Sequence, residues 1–244
     1  MNWVVQSVSD RSPDFGRGSG ADGSGTPGGE ARPLSGAQLG IWFAQKLNPA
    51  SPAYNIGEYI EIDGAIDEAL FEHALSQLIA EADVLRIRID EQSGEPLQVV
   101  GAAGGWSLPV FDVSRKSDPR TAAETWMRDD LARAVDLTRG PLFQFALLKI
   151  SATKFFWYAR YHHIVMDGYG MGLVARRVAE IYSQLAAGGA SQDDALPPLI
   201  DLLDDDARYR ASEQIAQDRH YWIKALAAPP EPGSLTLSGR APVH

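Results

Sequence analysis

The amino-acid sequence predicts an α/β fold of the α+β layered-sandwich kind, in which a mixed sheet is covered by helices. Three observations support that expectation. Segments of two-residue apolar period alternate with segments of helical period, the two richest strands are only four residues apart, and no repeat of solenoid length is present.

Residues 1–32 are expected to be a flexible leader, because residues 16–29 hold seven of the 23 glycines among Ser, Asp, Thr and Pro. Such a composition buries too little apolar surface to offset chain entropy. The leader contains Gly18-x-Gly20-x-x-Gly23 and Gly23-x-Gly25-x-x-Gly28. Neither follows a strand or opens a helix, so neither is read as a nucleotide site.

The folded region is expected over 33–228. Ser35 caps a helix whose Leu39, Trp42, Phe43, Ala44 and Leu47 form an apolar stripe, and Asn48-Pro49 ends it. Asn55 to Asp63 alternates as a strand, and Asp67 then caps an amphipathic helix through Ile79. Leu85 to Ile89 and Leu97 to Val100 read as a hairpin, and Val110 to Val113 as a further strand. A helix follows from Pro119 to Val135, with proline in its first turn. Leu142 to Ile150 and Phe155 to Tyr161 form an antiparallel hairpin. Another helix runs from Met171 to Ala186 and is stopped by Gly188-Gly189. Beyond an acidic stretch at Asp201 and Asp204 to Asp206, one helix is expected through Arg208 to Leu226, and 229–244 reads as a proline-rich linker.

Composition narrows the function. Lysine plus arginine is 22 against 32 acidic residues, a net charge of −10, which argues against a general nucleic-acid or anionic-membrane binder. The absence of cysteine removes disulfides, thiolate zinc sites and a cysteine nucleophile. Residues 1–11 lack a signal-peptide pattern and no apolar run approaches the about 18 residues of a membrane span, so a cytoplasmic protein is expected. Ser151-x-x-Lys154 reads as a turn, and Asp204 to Asp206 as a solvated acidic face rather than a calcium loop.

The most informative stretch is Tyr161-His162-His163-Ile164-Val165-Met166-Asp167-Gly168. Adjacent residues at a strand end leave on opposite faces, so His162 and His163 should have different jobs and not chelate one metal. The residues alone leave two readings open. In one, a buried histidine and Asp167 merely shape the loop. In the other, one imidazole acts as a base or dipole near neutral pH, with Gly168, Gly170 and Gly172 letting a substrate approach the backbone.

The stretch His162-His163-x-x-x-Asp167-Gly168 resembles the HHxxxDG signature of condensation domains in non-ribosomal peptide synthetases, relatives of chloramphenicol acetyltransferase. Leu34 to Trp42, with Ser35, Ala37 and Gln38, resembles the family's opening S-x-A-Q motif. Leu85-Arg86-Ile87-Arg88-Ile89 falls where the family reads R-H-E-x-L-R-T-x-F, but Glu81-Ala82-Asp83 replaces its first basic and histidine positions. That local form is similar to a siderophore-synthetase condensation domain, which implies a siderophore-like acyl or aryl-acid donor.

The resemblance implies a chloramphenicol acetyltransferase-like lobe and an amide-forming acyltransferase. His163 matches the main catalytic histidine, His162 a supporting one, and Asp167 a structural acid tied to an arginine, for which Arg86 is the matching candidate. The backbone N–H of Gly168 is a candidate oxyanion donor. No metal or redox cofactor is implied. Both substrates ride on phosphopantetheine arms of partner carrier proteins, and the donor carrier is expected on a separate protein. Family members have two lobes, so a C-terminal lobe and downstream synthetase domains are expected partners, and apolar surface should be left where that lobe is missing. A non-catalytic carrier-docking module and an ester-forming acyltransferase of the same superfamily remain open.

Overall fold

The computed structural model describes residues 2–7, 30–92, 94–189 and 196–228. The glycine-rich fingerprints and the 229–244 linker lie outside the described residues. The chain divides into two compact units, residues 1–203 and 204–244.

The strands are β1 (Asn2–Ser7), β2 (Arg32–Pro33), β3 (Asn55–Asp63), β4 (Ile87–Asp90), β5 (Leu97–Val100), β6 (Val110–Asp112), β7 (Phe143–Ser151) and β8 (Lys154–His162). The helices are α1 (Gly36–Leu47), α2 (Glu68–Glu81), α3 (Pro119–Leu131), α4 (Gly168–Ala186), α5 (Leu199–Arg210) and α6 (Glu213–Ala225). The main sheet has the order β1-β3-β8-β7-β6, and a smaller one the order β2-β5-β4. Among the described residues only β6 and β7 pair in parallel, so the main sheet is mixed, as expected.

Helices cover both faces of the main sheet. Ile60, Ile62, Phe145, Leu147, Phe155 and Trp157 pack with the apolar stripes of α2 and α4. Tyr59, Ala146, Leu148, Phe156 and Tyr158 pack on the opposite face with Ala123 and Met127 of α3. Burial on two faces explains the nearly unbroken apolar run of β8. The helix caps follow the sequence. Ser35 and Gln38 form a reciprocal capping box, and the side chains of Asp67 and Asp118 accept first-turn N–H groups.

Several expectations need correction, among them the end of α3, which lies at Leu131 and not Val135. Residues 2–7, assigned to the flexible leader, form β1 against β3. β7 and β8 meet at Ser151 opposite Lys154, so two residues rather than four make the turn. α4 begins at Gly168 instead of Met171, because Asp167 caps it and outweighs the poor helix propensity of three glycines. The single helix expected over Arg208 to Leu226 is two helices, α5 and α6, which break at Ala211-Ser212. No helix among the described residues is long and apolar enough to cross a membrane.

Candidate active site

β8 delivers the histidine pair. Its last residue, His162, donates its backbone N–H to Leu142, and His163 donates its own to Tyr54, at 2.8 and 2.7 Å. The backbone is thus pinned from both sides just as the pleat ends. His162 leaves on the face of Tyr158 and Arg160 and is 1% exposed, whereas His163 is exposed. The two histidines have separate environments, as strand alternation implied.

The ring of His163 is oriented by the turn that follows it. Its Nδ1 lies 2.8 Å from the Met166 carbonyl, an obligate acceptor, so Nδ1 carries a proton and the lone pair of the neutral ring is on Nε2. This is the tautomer a proton acceptor needs. His162 is held as the neutral form. Burial first, then the charges of His163 and Arg160, lowers its pKa from 6.5 to about 4.

A pH dependence follows. The unfolded chain takes up a proton on His162 near pH 6.5 and the folded chain only near about 4. Stability is therefore full above 6.5, falls as the pH drops through that interval, and is lower by about 3 kcal/mol below it. Urea titrations at pH 7 and pH 4.5 should show the loss, and His162→Gln should reduce the difference.

Asp167 is exposed and serves as the N-cap of α4, its Oδ1 accepting the Gly170 N–H at 2.8 Å. The expected pairing with Arg86 does not occur. Arg86 donates to the carbonyls of Ile79, Ala80 and Gly101 and to Asp83 Oδ1 at 2.6 Å, stitching the end of α2 to the exit of β5. Four local acceptors satisfy the guanidinium, while the Gly170 N–H and the dipole of α4 stabilise the Asp167 carboxylate. The ion pair that ties this region to α4 joins Glu81 and Arg177, with two hydrogen bonds at 2.8 and 3.0 Å. Burial pushes the Glu81 carboxyl up, but hydrogen bonds from Arg177 and Gln77 outweigh it and hold the pKa low.

Gly168 opens α4, where first-turn N–H groups have no intrahelical partner. A Cβ there would meet nothing within 4 Å, and the same holds at Gly172. Gly170 is different. A Cβ on it would lie 2.6 Å from Met166 Sδ, so its missing side chain makes room for the protein's own turn.

Two buried polar groups escaped the sequence reading. Arg160 Nε donates to Asp130 Oδ2 at 2.7 Å, and Tyr158 Oη donates to the same oxygen at 3.2 Å. An arginine two residues before His162 in an apolar strand was the available signal, since a buried charge requires a partner. The second group is a set of glutamine side chains. Gln38 Nε2 donates to Ile164 O and Gln98 Oε1, and Gln45 Oε1 lies 3.3 Å from His162 Nε2. By contrast, the apolar stripe of α1 meets the core only in part, through Trp42. Leu39, Phe43 and Leu47 are 38%, 60% and 75% exposed, and Tyr169 beside the site is also exposed.

Residues 30–241 match the family model described as the condensation domain. The chain is 45% identical over 203 residues to an isonitrile lipopeptide synthase of Streptomyces coeruleorubidus, covering 82% of this chain and 14% of that protein. It is 33% identical over 214 residues to enterobactin synthase component F of Escherichia coli K12, covering 86% of this chain and 17% of that protein. The starter condensation domain of rhizomide synthetase, solved as a mutant with C8-CoA and Leu-SNAC, superposes with a TM-score of 0.81 at 45% identity. That match covers 87% of this chain and 48% of the solved one, so the chain spans about half of the condensation domain it resembles. With the histidine signature seated at the end of β8 and the family model covering nearly all described residues, the chain belongs to the condensation-domain family of non-ribosomal peptide synthetases.

Proposed function

We propose that this chain supplies the histidine-bearing part of an amide-forming condensation centre, with His163 as the catalytic residue. The carrying observation is the hydrogen bond from His163 Nδ1 to Met166 O, which leaves the Nε2 lone pair for an incoming amine. The α-amine of a carrier-bound aminoacyl thioester attacks the carbonyl carbon of an acyl thioester. A C–N bond forms, the C–S bond breaks, His163 Nε2 accepts or orients the amine proton, and the departing sulfur is protonated as thiol. The N–H of Gly168 is the donor for the tetrahedral oxyanion, and His162 supports the turn. Much of the rate comes from holding two tethered substrates together.

Both thioesters arrive on phosphopantetheine arms of donor and acceptor carrier proteins. The likeness to a starter condensation domain supports an acyl donor, and the enterobactin synthase relative keeps a siderophore-type acid among the candidates. A second lobe completes the site, and the exposed Leu39, Phe43, Leu47 and Tyr169 supply apolar surface for such partners.

The test is single-turnover transfer in the synthetase containing this chain, with intact-mass detection. Acyl-loaded carrier is offered an aminoacyl-loaded carrier in competition with a hydroxyacyl-loaded one. Amide should form first and depend on His163. Predominant ester would assign the chain to ester formation, and product independent of His163 would assign it to docking alone.

A further inference from the structure

α1 has two glutamines seven residues apart, Gln38 and Gln45, a spacing of two turns that places both on one face. Both are buried, while Leu39, Phe43 and Leu47 occupy an exposed face. The buried pair brackets the histidine turn. Gln38 Oε1 accepts from the Ser35 and Gln98 side, through Ser35 N and Gln98 Nε2 at 2.9 Å each. Its Nε2 donates to the carbonyl of Ile164, the residue after His163, at 3.3 Å.

Gln45 has a more specific arrangement. Its Nε2 is surrounded by the carbonyls of Asn48, Pro49 and Ser51 at 3.2, 3.2 and 3.1 Å, all obligate acceptors. The amide is therefore not free to flip, and Oε1 must be the atom that meets His162 Nε2 at 3.3 Å. An amide oxygen only accepts, so His162 Nε2 must carry the proton. The other end of the ring gives the same answer, because His162 Nδ1 accepts the Ile164 N–H at 3.2 Å and so has no proton of its own. Two independent contacts require one tautomer.

We propose that Gln45 is a positioning residue: with its amide orientation fixed by the loop after α1, it locks His162 as the Nε2–H tautomer, whose Nδ1 holds the Ile164 N–H and thereby sets the turn that presents His163. Gln38 holds the same residue by its carbonyl. Ile164 is thus gripped at both peptide groups, and α1 acts as a splint for the histidine turn. The functional consequence rests on the role proposed for His163, but the tautomer does not.

The test is a long-range ¹H–¹⁵N correlation spectrum of the histidine rings in the full 244-residue chain at pH 7, with His162→Gln used for assignment. His162 should appear as a single neutral Nε2–H tautomer. In Gln45→Leu it should become a mixture of tautomers, while circular dichroism shows the fold retained. Gln45→Glu, whose carboxylate cannot donate to the three carbonyls, should raise the His162 pKa. In the synthetase containing this chain, Gln45→Leu should lower kcat by about 100-fold with KM for the carriers unchanged, the effect of a misaimed base. A wild-type spectrum with the proton on Nδ1 overturns the proposal whether or not any variant folds. So does an unchanged tautomer in folded Gln45→Leu. An unchanged kcat in Gln45→Leu with the expected spectra would count against the catalytic reading of His163 and leave the tautomer assignment standing.

Discussion

Replacement of His163 by alanine is expected to lower single-turnover amide formation by about 10²- to 10⁴-fold, the range for loss of a positioned general base. In barrier terms this is about 3–5 kcal/mol. The same substitution should leave stability within about 0.5 kcal/mol, because the ring is exposed and its hydrogen bond is to a single turn carbonyl. That separation is the diagnostic point. His162→Ala, by contrast, removes a ring that is 1% exposed and should lower both rate and stability. A His163→Ala protein with an unchanged rate would remove the catalytic assignment and leave the domain as a carrier-docking surface.

The largest stability effect is expected at the other side of β8. Asp130→Ala should destabilise the fold by about 3–5 kcal/mol in urea denaturation, because it leaves Arg160 buried without its counter-ion. The two side chains are 5% and 9% exposed and meet at 2.7 Å through Arg160 Nε, and Arg160 Nη1 has no hydrogen-bond partner among the described residues. Tyr158 would lose its acceptor as well, with its phenol already held well above its ordinary pKa by burial and by the Asp130 charge. The double variant Asp130→Ala/Arg160→Met should recover most of the loss, since the cost lies in the orphaned charge and not in the missing attraction. Equal instability in the single and double variants would show that packing around α3, rather than charge, governs this site.

The role of Arg160 also shows why a local motif reading is incomplete. The match to the family signature placed Asp167 opposite Arg86, and both are present at the matching positions. The structure gives each a nearer solution, a helix N-terminus for the acid and four acceptors around the end of α2 for the base. Nothing in the spacing of Glu81 and Arg177, or of Asp130 and Arg160, separated by 96 and 30 positions, marks them as partners. Such pairs exist because α2 meets α4 and α3 meets β8, and convergence is a property of packing.

α1 teaches the same lesson from the apolar side. Its period placed Leu39, Trp42, Phe43, Ala44 and Leu47 in one stripe, of which Leu39, Phe43 and Leu47 are exposed while Trp42 packs against the core. The stripe is split because periodicity defines a face without saying whether it meets the chain's own core, a second lobe or another protein. The buried side chains of α1 are polar, Gln38 and Gln45 against the histidine turn, while Ile41 and Trp42 pack part-buried on the core.

By itself the sequence determined the caps at Ser35 and Asp67, the hairpins, the layered α/β class and the two-faced histidine pair. Each depends on residues within a few positions of one another, where backbone geometry and side-chain period leave few alternatives. Only the tertiary structure decided that β1 joins the sheet, that Arg160 finds Asp130, and that a glutamine on α1 fixes a proton on His162. Those outcomes depend on which distant groups share a low-dielectric interior, where every buried donor, acceptor and charge must be satisfied by whatever neighbour the fold provides.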